Sequence, residues 1–365
     1  MTTSRTRHGR NGNRRGWLAA LALGLLLPAA AAAQTATWES LHDQAPERYT
    51  VVRGDTLWDI AGRFLHDPWR WQQVWRVNPQ IGNPHRIYPG DEIYLYDCGG
   101  RPCLGLARGK NVVKLSPEIR TPPRREAIEP IPMETVEAFL RDHRIVDDPD
   151  AIDELAYVVA GDERRLISGA GDRIYARGTV VPAGHYGIYR VGESYFGPNG
   201  ELLGQELESV GEARAMRQEG DIAKLEVLSA RMEVRNNDII LPLESRLLES
   251  RFLPRAPQRE VEGHILAVPG GVRFVGRLQV ITLNLGTEDG LQPGHVLRVE
   301  QQGERVNDPR SRDVLQLPGD EAGVVMVFRP YDRVSYALVM RASRTLEVGD
   351  RVYNPDAQRT SQTQQ

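Results

Sequence analysis

An α+β module of order strand, helix, helix, strand (βααβ), joined by a Pro-rich spacer to mainly β tandem domains, is the fold class this sequence predicts. Three observations carry it. Over residues 48–97 the hydrophobic period changes from two to 3.6 and back to two. Residues 98–132 are polar and hold six prolines. Beyond them, short alternating runs are separated by Gly, Asp and Asn, and two of these stretches look like copies of each other.

The chain begins with Arg5, Arg7, Arg10, Arg14 and Arg15, then the apolar run WLAALALGLLL at 17–27, then PAAAAAQ. A basic start, a short apolar run and small residues predict a signal peptide over residues 1–33, cleaved after Ala33. Eleven apolar residues fall short of the roughly 20 that cross a bilayer, and no Cys follows the cleavage point to suggest a lipid anchor. Lys+Arg 46 against Asp+Glu 49 gives a net charge of -3, which disfavours nucleic acid as a partner. An exported chain meets an oxidising compartment, and the two cysteines, Cys98 and Cys103 in CGGRPC, predict a small-loop disulfide.

Tyr49 to Val52 is β-branched and aromatic, as a strand is, and Arg53-Gly54 supplies a turn. Thr56 and Asp59 stand at capping-box spacing, and Leu57, Ile60, Ala61, Phe64 and Leu65 follow one helix face. Asp67 and Pro68 start a second helix with Trp71, Val74 and Trp75 inward; Asn78-Pro79 stops it. EIYLY closes the unit as a strand. So small a two-layer unit needs its tryptophans for stability, so Trp58, Trp71 and Trp75 read as core.

YTVVRGDTLWDIAGRFL, WQQVW and NPQIGNPHRIYPGDEIYL, in this order, resemble a LysM domain, with its Gly-Asp-Thr-Leu turn and its Pro-Gly-Asp approach to the last strand. The resemblance implies a βααβ fold that binds N-acetylglucosamine-containing glycan such as peptidoglycan, with no cofactor, metal or catalytic centre. It implies a groove between Gly54, Asp55, Thr56 and Leu57 of the first turn and Asn83, Pro84, Ile87 and Tyr88 of the loop before the last strand. An uncharged sugar chain is held there by backbone donors and acceptors and apolar contact.

After the spacer at 98–132, helices are expected near 133–141 and 151–157, followed by a first β domain, the two together making up 133–255. A second β domain follows at 256–355 and a disordered tail at 356–365. Copying is read from GHYGIYRV at Gly184 against GHVLRV at Gly294, from Ala230 against Ala342 and from Asp238 against Asp350. GELLGQELESVGEARAMRQEG reads as an exposed hairpin, and residues 246–260 as a connector whose Leu247, Leu248 and Phe252 are available for docking.

Nothing points to catalysis. No two histidines stand at metal-ligand spacing, both cysteines read as paired, and no G-x-S-x-G or S-x-x-K occurs in a plausible setting. His185 and His295, each after a Gly at equivalent points of the copies, read as turn residues.

The whole layout resembles the type IV pilus secretin-associated family of Gram-negative bacteria, in which an N-terminal LysM module precedes a region similar to a flagellar basal-body protein. Gly323 to Val327 and SYALVMRA carry the second part of the resemblance. It implies a non-enzymatic periplasmic anchor, wall-associated near the outer membrane, that binds peptidoglycan and stabilises an outer-membrane secretin, with many copies around a ring. The alternatives are a general wall-binding periplasmic protein and a peptidoglycan hydrolase.

Overall fold

The computed structural model describes residues 36–356 apart from 76–86, 108–130, 132–135, 138, 141–142, 244–252, 270–273 and 304. The expected signal peptide, most of the spacer, all but the first residue of the tail, and Leu247, Leu248 and Phe252 lie outside the described residues, and the helix expected at 133–141 falls on them in part. The described residues form one compact unit.

The N-terminal module is built as its local signals require. β1 (Arg48–Thr50) pairs antiparallel with β2 (Glu92–Asp97), Tyr49 opposite Ile93. Between them come α1 (Leu57–Phe64) and α2 (Trp71–Trp75). Thr56 caps α1 through the full capping box with Asp59. A third strand, β3 (Pro102–Ala107), pairs with β2 along its length, so the first residues of the expected spacer complete the module's sheet instead. Cys98 and Cys103 are disulfide-bonded across this β2–β3 hairpin. Leu57, Ile60, Phe64, Trp71, Trp75 and Ile87 fill the module's core, and Leu253 of the later connector packs against it.

The rest is two barrels of one topology. β4 (His143–Val146) leads into β5 (Ala156–Gly161), β6 (Ile167–Ser168), β7 (Arg173–Arg177), β8 (His185–Phe196), β9 (Leu202–Glu219), β10 (Ile222–Ala230), β11 (Val234–Arg235) and β12 (Ile239–Pro242). Strand order β10-β7-β5-β12-β8-β9 is closed into a ring by the β9–β10 pairing, and β4 adds to β9. Where a helix is expected near 151–157, a 3-10 turn (Pro149–Glu154) gives way to β5. The segment expected as an exposed hairpin is mostly β9, half of whose residues are buried.

The second barrel comprises β13 (Glu262–Ala267), β14 (Phe274–Val275), β15 (Val280–Leu283), β16 (Val296–Gln301), the inserted hairpin β17 (Arg305–Asn307) and β18 (Val314–Gln316), β19 (Asp320–Pro330), β20 (Ser335–Ala342), β21 (Leu346–Glu347) and β22 (Arg351–Tyr353). It closes in the order β13-β15-β20-β19-β16-β22, which is the first ring with each strand replaced by its counterpart. Even the side ladders correspond, β6 with β11 and β14 with β21.

Hydrogen bonds repeat too. Arg235 N–H donates to Asp238 Oδ2 at 2.7 Å and Glu347 N–H to Asp350 Oδ2 at 2.9 Å. The residue before each aspartate is left-handed, Asn237 at φ 72° and Gly349 at φ 95°, the two residue types that tolerate this conformation best. The copying read in the sequence is thus a duplicated fold.

The copies differ in what covers them. In β20, Ala337 and Val339 face the barrel interior, while Tyr336, Leu338 and Met340 point outward into a second apolar cluster. The corresponding outward residues of the first barrel are Lys224, Glu226 and Leu228, which are partly or well exposed. The second barrel's outer face is covered by Trp58 and Trp69 of the N-terminal module and by Ile131, Val136, Ile145, Tyr195 and Leu203. It is the hub on which both other parts pack.

Candidate functional site

The first turn of the module is held by Asp55, whose Oδ2 accepts from Val52 N–H and from Tyr49 O–H, both at 2.9 Å. Burial and this contact with Asp55 hold the Tyr49 phenol above its ordinary pKa. Gly54 at the turn's apex is exposed and left-handed, φ 95°; a side chain there would be strained. Opposite, Tyr88 N–H donates to the buried Asp91 carboxylate at 3.1 Å. Val51 ties the two turns together: its N–H donates to Asp91 O and its C=O accepts from Gly90 N–H, both at 2.8 Å. The two segments expected to form a groove are therefore neighbours.

The expected groove residues fall into three groups. Gly54, Asp55 and Tyr88 are exposed or half-buried at the surface. Thr56 is buried as the helix cap, and Leu57 and Ile87, 2% and 0% exposed, are core side chains that support the turns from beneath. Asn83 and Pro84 lie outside the described residues. Trp71 and Trp75 are core, as expected. Trp58 belongs instead to the cluster shared with the second barrel, stacked on Trp69 at 6.3 Å between ring centroids. The signal was present: Trp58 stands outside the i, i+3, i+4 set that begins at Leu57.

Sequence reasoning missed that the second barrel reaches this site. Arg277 pairs with Asp59, Arg298 with Asp67 at 3.0 Å, and Arg341 donates to His66 O at 3.4 Å. Between α1 and the barrel lies a cavity of about 440 Å³ bordered by Asp55, Trp58 and Arg63 of the module and Arg277, Met340 and Arg341 of the barrel. No periodicity announces such a juxtaposition, since the contributing residues are over 200 positions apart.

His295 is buried, and its Nδ1 accepts from Gln292 N–H at 3.2 Å. Burial and then Arg255 push its pKa down to about 4. Among the described residues no group of three His, Cys, Asp or Glu is placed to hold a metal, and no helix is long and apolar enough to cross a membrane.

The module is a small two-layer α/β unit with two turns tied side by side. Residues 49–95 match the family model of the LysM domain, a peptidoglycan-binding module. The chain is also similar to a protein described as "Uncharacterized protein YqbP" from Bacillus subtilis (strain 168), 42% identical over 61 residues, which is 14% of this chain and 28% of that protein. The chain thus spans less than a third of the length of this relative.

Proposed function

We propose that this protein is a non-enzymatic periplasmic anchor, binding peptidoglycan glycan through its LysM domain and holding an outer-membrane secretin of the type IV pilus through its β region. The observation that carries the reading is the strapping of the LysM domain to the second barrel by Trp58, Trp69 and three arginines. A module meant only to localise a chain works on a flexible tether. One packed against a barrel passes a pull on the glycan directly into the β region. Many copies around a ring add further strength by multivalency, even if each glycan contact is weak.

The test has two arms. The full chain is expected to sediment with purified sacculi, and Tyr88→Ala is expected to weaken that binding. With the chain as bait in detergent-solubilised envelopes whose wall has been digested, a secretin is expected to be recovered. Sedimentation without secretin recovery leaves a wall-binding protein and removes the pilus partner. Release of soluble muropeptides from sacculi overturns the non-enzymatic reading.

A further inference from the structure

The cavity between the LysM domain and the second barrel opens beside the turn that the glycan reading uses, because Asp55 belongs to both. A neutral sugar chain does not need arginines, yet Arg63, Arg277 and Arg341 all border it. Two carboxylates border it as well, and both are already engaged. Asp59 gives one oxygen to Arg277 and the other to Thr56, and Asp55 Oδ2 takes two donors. The donors are in surplus, for a guanidinium carries five N–H groups. Arg277 gives Nη2 to Asp59, and Arg341 gives Nη1 to His66 O and Nη2 to Glu321. Arg63 is exposed and held in place over the Tyr49 ring at 4.4 Å. Trp58 and Met340 add apolar wall.

A cavity with three guanidiniums against two carboxylates, N–H groups to spare and an apolar side suits a carboxylate on a short aliphatic arm. Its volume, about 440 Å³, is that of a small-ligand site. We propose that it takes the carboxylate-bearing substituent of the muramic acid residues while the glycan backbone lies along the LysM turns, so that the second barrel makes the site selective for peptidoglycan over uncharged glycan. The proposal rests on the glycan-binding reading. The carboxylate has two sources: the stem peptide, or the lactyl group left bare where the stem has been removed.

The test measures binding of three probes of equal glycan length to the full chain by calorimetry: a chitin oligomer, a stem-free peptidoglycan strand and a stem-bearing one. At least one peptidoglycan probe is expected to bind roughly tenfold more tightly than chitin, as one charge-assisted forked contact allows. The tighter of the two names the source of the carboxylate. Arg341→Gln on the barrel wall and Arg63→Gln on the LysM wall are each expected to lower the peptidoglycan-to-chitin preference several-fold, with Arg341→Lys retaining part of it. Thermal melts of both variants separate loss of the site from loss of the fold. Chitin binding as tightly as both peptidoglycan probes, or a preference unmoved in both glutamine variants that melt like wild type, overturns the proposal. Binding of none of the three probes overturns the glycan reading itself.

Discussion

Arg298 Nη2 donates to Asp67 Oδ1 at 3.0 Å, so a β16 side chain of the second barrel grips the loop between the two LysM helices. The same guanidinium gives Nη1 to Glu321 at 2.7 Å and lies 5.7 Å from the Trp69 ring centroid. Both side chains of the pair are under a quarter exposed, 23% and 20%, which limits solvent screening. Arg298→Ala is expected to cost about 1–3 kcal/mol, the usual range for losing hydrogen bonds to charged partners. A double-mutant cycle with Asp67→Ala, read by urea denaturation, checks it; a coupling energy of zero excludes the contact as a strap.

Trp58 and Phe64 sit on the same helix and do different jobs. Phe64 is 0% exposed within the LysM core, whereas Trp58 packs outward against the barrel. Trp58→Ala is expected to remove about 3–5 kcal/mol of docking and to give the LysM domain a separate unfolding transition in calorimetry. Phe64→Ala is expected to abolish the LysM fold itself. A single unchanged transition in Trp58→Ala is the opposing result.

Gly54 should tolerate no branched residue. Its φ of 95° makes Gly54→Val strained, and the turn it distorts adjoins Tyr88. Sacculus co-sedimentation of this variant is expected to fall while the barrels melt normally.

His295 makes the second barrel sensitive to acid. Its folded pKa of about 4 lies below the ordinary histidine value of 6.5. Below pH 6.5 the unfolded chain takes up a proton that the folded chain refuses, so stability is complete above that pH and falls as pH drops toward 4. The loss is on the order of 3 kcal/mol at most. Denaturant midpoints between pH 7.5 and 4.5 should fall in the wild type and fall less in His295→Gln.

The LysM domain was legible because its signals are local. The Thr56 and Asp59 capping box, Pro68 opening a 3-10 turn (Pro68–Arg70) that leads into α2 where the helix itself is expected to start, and the alternation before Asp97 each act within a few residues. The duplication was legible in recurring turn residues such as Asp238 and Asp350, which the fold needs at the same place twice. β3 was hidden because PCLGLA opens on Pro102 and Cys103 at the end of a Gly-rich cysteine loop, which reads as spacer, and only pairing with β2 makes it a strand. Leu57 and Ile87 belong to matched motifs, but a motif does not say which of its side chains points inward.

By itself the sequence determined the LysM module, the β character of the remainder and its repetition, since helix caps, turns and period-two alternation are set by near neighbours. Tertiary structure alone decided which barrel becomes the hub. SYALVMRA is apolar on both faces while IAKLEVLSA alternates. An apolar run can announce that both faces are buried; it cannot name what buries them. That required Trp58, Trp69 and Arg298 to meet across more than 200 residues, where closing the chain puts them.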